Sequence, residues 1–146
     1  MSQPCLIAMP QTLLDLLLQA WRQLLSQWAQ SGALSRAAQD ALQLDGEPEQ
    51  LGQLLREWSE GDFSHLPPVV VLLDSAMPGA AGAYAISTGK IYLNADWLQS
   101  AGQRRVQEVL TEELGHHLDG LLNRSDSQGD EGKEFSNLLF GVGNLK

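Results

Sequence analysis

Apolar residues recur with two different periods along this chain, and the change of period divides it. From Leu13 to Trp28 they fall three and four apart, at Leu13, Leu14, Leu17, Trp21, Leu24, Leu25 and Trp28. That spacing predicts a helix with one apolar stripe. Pro10 stands at its start, where a helix tolerates proline, and Ser31-Gly32 ends it. A shorter helix is expected over Ser35 to Leu42, with Ser35 as its cap. Asp45 to Pro48 reads as a turn. Pro48 then opens a third helix, whose buried face is Leu51, Leu54, Leu55 and Trp58 and which Gly61 stops. Residues 1–9 read as a tail and 10–60 as a helical subdomain that packs a core.

Beyond Pro67-Pro68, which force extended backbone, the pattern becomes that of strands. Val69 to Leu73 is a continuous β-branched and leucine run, expected to be a buried strand. Asp74 to Gly82 reads as loop. Ala83 to Ile86 and Lys90 to Leu93 flank Ser87-Thr-Gly89 and predict a β-hairpin. Asn94 caps a short helical turn that ends near Gly102. Helical spacing then resumes from Gln103 to Leu122. Asn123 to Gly129 is a polar loop, and Asp130 to Phe140 a last helix with Phe135, Leu138, Leu139 and Phe140 apolar. The expected fold class is α+β: N-terminal helices, a small sheet with a hairpin, a long helix and a C-terminal helix. At 146 residues the length suits a single domain, 1–146.

Composition narrows the function. A net charge of −9 argues against nucleic acid and anionic membranes as partners, since both require basic surface. Cys5 is the only cysteine, which excludes an intramolecular disulfide and a cysteine-based zinc site. Asp15, Gln19, Arg22 and Gln23 interrupt the leucine-rich run of the first helix, so no membrane insertion is expected. The N-terminus lacks the basic region of a secretory signal. His65 stands alone in a connector and reads as polar surface.

The candidate chemistry lies in Val109-Leu-Thr-Glu-Glu-Leu-Gly-His-His-Leu-Asp119. At 100° per residue, Glu112, His116 and Asp119 fall within a sector of roughly 60°, with Glu113 at its edge. Val106, Leu110, Leu114 and Leu121 are expected to point the other way, towards a core. One apolar face and one face of Glu, His and Asp is how a rigid helix presents a metal or acid/base site. His117 shares the sector of Val106 and Leu110. It is therefore expected to be partly buried and to need a hydrogen-bond partner. Asp130 and Glu131 stand where a helix N-terminus favours acidic groups. With Asp126 they offer calcium ligands, without the EF-hand spacing. Glu113-x-x-His116 also matches half of a carboxylate-bridged di-iron site, but no second such unit occurs.

The stretch is similar to H-E-x-x-H, the zinc-peptidase helix, with Glu112 in place of the first histidine. Taken with Ile91-Tyr-Leu-Asn94, Asp96-Trp-Leu98 and Gly129-Asp-Glu-Gly132 followed by Phe135, it resembles a zincin-like metallopeptidase module. Such modules, carrying Glu-Glu-x-Gly-His, occur in large bacterial secreted or surface proteins with calcium-binding repeats. The resemblance covers about Val69 to Gly141. It implies a zincin-like core over 69–141 and a metal, zinc or another divalent ion, held by Glu112, His116 and Glu131. Glu134 and Asp119 are the alternatives for the third ligand, and Glu113 would be the catalytic base. Tyr84, Tyr92 or His117 would stabilise the oxyanion. The implied activity is metal-dependent hydrolysis of peptide bonds in a peptide or protein substrate, weak or self-processing. The alternative is a catalytically silent zincin-fold module serving adhesion or assembly. The resemblance also implies further domains of a larger chain and a secreted or cell-surface location, with the cytoplasm as the alternative.

Overall fold

The computed structural model describes residues 11–123 and 131–141. Six α-helices and a three-stranded mixed sheet are found among them, an α+β fold. Three helices come first: α1 (Gln11–Ser31), α2 (Ala33–Ala41) and α3 (Glu49–Ser59). The strands follow as β1 (Val69–Leu72), β2 (Gly82–Ala85) and β3 (Lys90–Asn94). The chain then forms α4 (Ala95–Ser100), α5 (Gln103–Leu122) and α6 (Glu131–Phe140). No helix of the described residues is long and apolar enough to cross a membrane.

The stripe on α1 is rotated slightly from its expected position. Leu14, Leu18, Trp21 and Leu25 are buried at steps of four and three, while Leu13 is exposed. Ser35 does not cap α2. The helix begins two residues earlier, after Gly32, whose φ of 86° supplies the left-handed turn out of α1. Ser35 is instead buried within α2, where its hydroxyl donates to Glu47 Oε1 at 2.6 Å. That acceptor from the following turn is what makes a buried serine tolerable there. On α3, Leu51, Leu54, Leu55 and Trp58 are all buried, as the spacing predicts. Among the described residues, the Trp58 indole nitrogen is the one buried side-chain donor or acceptor without a partner.

The sheet order is β1-β3-β2. The hairpin pairs β2 with β3 antiparallel, Tyr84 opposite Ile91, and β1 joins β3 in parallel, Val69 opposite Ile91. β1 is an edge strand and only half-buried along its length, rather than the buried strand its composition suggests. Ile91 and Leu93 are fully buried and alternate with Tyr92, so one face of the sheet looks inward. Asn94 ends β3 and caps α4. Its side-chain oxygen accepts from the Asp96 and Trp97 amides, and its amide group donates to Asp74 Oδ1 at 2.8 Å.

α5 runs between these layers. It packs on β2, β3, α1 and, most extensively, α6. Gly82 lets the sheet settle onto it, because a Cβ there would stand 2.7 Å from Val109 Cγ1 and 3.2 Å from the Tyr92 carbonyl oxygen. On the opposite side, Trp21 Nε1 of α1 donates to Thr111 Oγ1 at 3.0 Å, and the threonine hydroxyl donates to the Gln107 carbonyl at 2.7 Å. α6 runs antiparallel to α5, and its contacts descend in steps of four on both helices. Arg104 Nη2 donates to the Phe140 carbonyl at 3.2 Å, Ser136 Oγ donates to the Glu108 carbonyl at 3.0 Å, and Gly132 lies against the Glu112 carbonyl. Four-residue steps are the ridges by which helices interlock.

The Trp21–Thr111 bond joins residues 90 apart in sequence and is fully buried. Thr111→Val keeps the volume but strands the indole N–H, which costs about 1–3 kcal/mol. Urea denaturation followed by tryptophan fluorescence should show that loss. An unchanged midpoint would show that the bond contributes nothing net.

Candidate active site

The candidate residues sit in the middle of α5, at its seam with α6. Gly115 and Gly132 set how closely the two helices approach. A Cβ on Gly115 would stand 2.8 Å from the Gly132 Cα and 3.2 Å from Phe135 Cβ. A Cβ on Gly132 would collide with the Glu112 carbonyl oxygen and lie 2.8 Å from His116 Nε2. The first turn of α6 therefore presses directly on Glu112 and His116. Glu131, half-buried, is the residue immediately before that contact.

The expected division of α5 into one apolar and one polar face does not hold. The helix is buried on nearly all sides, and Glu113 and Asp119 are buried with the apolar residues. Leu121, expected inside, is 37% exposed at the helix end. The reason is the surroundings: with a sheet, α1 and α6 packed around it, the helix keeps in its middle turns only a half-buried strip at Glu108, Glu112, His116 and His117.

Glu113 is the unusual member. Its side chain is only 9% exposed. Burial pushes its carboxyl above the usual carboxylate range, nearby His116 draws it back, and Glu112 raises it further. Glu112 is half-buried, with Oε2 at 3.6 Å from Arg105 Nη1. Arg105 also pairs with Glu108 at 3.1 Å. His116 is half-buried against Gly132. Asp119 belongs to the framework: its Oδ1 accepts from Asn123 Nδ2 at 2.6 Å, and the same amide donates to the Leu42 carbonyl, tying the end of α5 to the end of α2. Glu134 is exposed one turn along α6. Asp126 and Asp130 lie outside the described residues.

Among the described residues, no three His, Cys, Asp or Glu side chains converge closely enough to hold a metal ion. By donor type, two carboxylates and an imidazole fit zinc or a harder divalent ion. By element, α5 and the first turn of α6 bring Glu112, His116 and Glu131 to one seam. By side-chain position the three do not form a metal-holding group.

His117 is partly buried, as its angular position predicts, and its partner is Tyr84 of β2. The phenol oxygen lies 2.8 Å from Nδ1, with the rings edge to face at 5.3 Å between centroids. Burial lowers the His117 pKa and raises that of Tyr84. Tyr92, the other tyrosine considered, turns to the outer face and bonds Thr88 Oγ1 at 2.9 Å. Two contributors escape a reading by sequence. Arg105 lies two turns before Glu112, beyond the usual pairing distance of three or four residues. Gly132 looks like any helix glycine until its partner is known.

Compared with protein-family models, curated proteins and solved structures, the chain matches none of them.

Two predictions follow from the seam and the buried acid. In a free helix, Gly132→Ala would gain about 1 kcal/mol of propensity. Here the clash is with backbone that cannot turn aside, so the variant should instead lose ~1–3 kcal/mol by overpacking. A stabilised variant in chemical denaturation would refute the close approach. For Glu113, a folded-state pKa raised above 4.5 means that ionisation opposes folding. Glu113→Gln should therefore be more stable than the parent at pH 7.5. Its advantage should shrink as pH falls through the folded pKa towards 4.5, where the parent gains its proton. His117 acts in the opposite sense, since its lowered pKa withdraws stability as pH falls below 6.5. Denaturation of parent and variant across pH 4.5–7.5 isolates the Glu113 contribution. A variant that loses stability equally at every pH would show that the carboxylate is not strained by burial.

Proposed function

We propose that this chain is a zincin-like hydrolase module that cleaves peptide bonds, with Glu113 as the proton acceptor. The observation that carries this reading is Glu113 itself: a carboxyl 9% exposed, in the middle of a long helix, beside Glu112 and His116. A buried acid of raised pKa costs stability and is the kind of group that general acid/base catalysis uses. The order of elements supports the same reading. The sheet lies on the helix, and β2 is an edge strand to which an extended peptide can add through its backbone.

In this reading Glu112, His116 and Glu131 would hold a divalent ion, zinc first, with Glu134 as the alternative third ligand. Such an ion, when bound, would supply Lewis acidity for the hydrolysis. Glu113 takes the proton of the attacking water and passes it to the leaving amine. Asp119, committed to Asn123, orients the end of α5. The substrate is a peptide or protein, and the net charge of −9 disfavours nucleic acid. The module would serve within a larger secreted or surface protein.

The pairing of Glu112 with Arg105 at 3.6 Å favours a second reading, a catalytically silent module used for adhesion or assembly. Elemental analysis of the purified protein separates the two. The hydrolase reading expects near-stoichiometric zinc in the parent, lost in Glu112→Ala and His116→Ala. It expects Glu113→Gln to keep the metal but to lose peptide cleavage by about 100-fold or more. A parent that takes up no zinc, manganese or calcium and cleaves no peptide would establish the silent module.

A further inference from the structure

A second feature lies at the other edge of the sheet. In the order β1-β3-β2, β1 has β3 on one side and, among the described residues, no strand on the other. The Pro68 carbonyl accepts from the Ile91 amide at 2.9 Å. Backbone groups of successive strand residues point to alternate edges. Val70 and Leu72 therefore turn their amides and carbonyls to β3, and Val69 and Val71 turn theirs outward. Leu73 prolongs the extended backbone, with φ −68° and ψ 154°, and is 67% exposed. The run Val69-Val-Val-Leu-Leu73 holds no charge and no proline, and its pairing with β3 has no bulge. Charges, prolines and bulges are the devices that keep edge strands apart. Its ends are closed instead. Pro67 and Pro68 lack N–H groups, and a 3₁₀ turn begins at Asp74.

We infer that β1 is an interface between two copies of this chain, paired antiparallel through their β1 edges about a two-fold axis at Val71. A strand that fits this edge must be apolar on both faces, uncharged and stopped at both ends, and β1 itself meets each condition. In this register Val71 meets Val71, Val70 meets Leu72 and Val69 meets Leu73. Each is an apolar cross-strand pair of the kind that stabilises sheets, and the exposed Leu73 gains a neighbour. The outward amide and carbonyl of each Val71 satisfy those of the other. Asp74 meets Pro68, so a chain of net charge −9 sets no carboxylate opposite another. A two-fold contact of this kind closes after two copies. It makes one continuous sheet in which β2 forms both outer edges. The interface is independent of the hydrolase reading, because it needs neither a metal nor Glu113 and leaves β2 free.

The test uses the full chain at rising concentration, with mass read by sedimentation and amide exchange read residue by residue by NMR. The parent should pass from monomer to dimer below about 1 mM. Protection of the Val69 and Val71 amides should rise with the dimer, whereas Val70 and Leu72, bonded to β3, should be protected throughout. Val71→Pro removes only an outward N–H, which an edge strand tolerates, and should weaken dimerisation by about tenfold or more. Leu73→Lys, at an exposed position, should weaken it by about tenfold as well, although it lowers the net negative charge. Circular dichroism checks the fold of each variant. The inference is overturned by a parent that stays monomeric to about 1 mM, by species that grow past the dimer, or by a folded Leu73→Lys that dimerises as tightly as the parent. Protection of Val71 that is equal at every concentration would overturn it too, by showing the edge covered within one chain. So would protection that appears only with an added threonine-valine peptide, which would assign the edge to a foreign strand. Because metal content and cleavage are read separately, loss of the hydrolase reading leaves this result standing.

Discussion

The approach of α5 to α6 through Gly115 and Gly132 is the contact on which the rest of the candidate site depends. With no side chain on either glycine, the two helices meet backbone to backbone, and a Cβ on Gly132 would strike the Glu112 carbonyl. The antiparallel register then follows from steps of four, with Phe140 at Arg104, Ser136 at Glu108 and Gly132 at Glu112. This register sets Glu131 at the level of Glu112 and Glu113. On the same helix, burial raises the pKa of Glu113.

The far end of α6 is held by different chemistry. Phe140 stacks edge to face on Trp28 of α1 at 5.1 Å between centroids, and the Arg104 guanidinium covers its ring at 4.7 Å. Arg104 also donates to the Phe140 carbonyl, where a cation suits the negative end of a helix. α6 is therefore anchored at its C-terminal end by α1 and α5 together, and pressed onto the site at its N-terminal end by the glycine contact. A helix clamped at both ends has little freedom left to lose, which suits the ligand role proposed for Glu131.

Much of this could be read from the residues in order. Gln103 to Leu122 was legible as one helix because the apolar spacing is unbroken between Gly102 and Asn123. Asn94 announced α4 through its capping side chain, and the two short runs about Ser87-Thr-Gly89 announced the hairpin. His117 was legible as a buried imidazole in need of a partner, since its angle on the helix places it with Val106 and Leu110. What was not legible depends on neighbours distant in sequence. Ser35 looked like a cap because nothing local reveals Glu47 as its acceptor. Val69 to Leu73 reads as a buried strand, but the sheet stops there and β1, its edge, is only half-buried. The polar sector predicted on α5 presumes a helix with one wet side, whereas packing by α1, α6 and the sheet leaves Glu112 and His116 half-buried, and Glu113 and Asp119 are buried.

That enclosure also decides between possible roles for the acidic residues. Asp119 is buried but hydrogen-bonded to Asn123, which links it to the Leu42 carbonyl, so its charge serves the framework. Glu112 is half-buried and compensated by Arg105. Glu113 is as buried as Asp119, yet its nearest ionisable neighbours are a histidine that favours its charge and a glutamate that opposes it. A purely structural helix gains nothing from a carboxyl so placed, because glutamine or leucine would fill the volume without the desolvation cost. In the proposed hydrolase reading, that carboxyl is the group that accepts a proton beside an imidazole and a second carboxylate. The same reasoning does not extend to Glu131 or Glu134, whose place at a helix start is favourable on electrostatic grounds alone. The case for chemistry at this seam therefore rests on Glu113 first, and on its neighbours only through it.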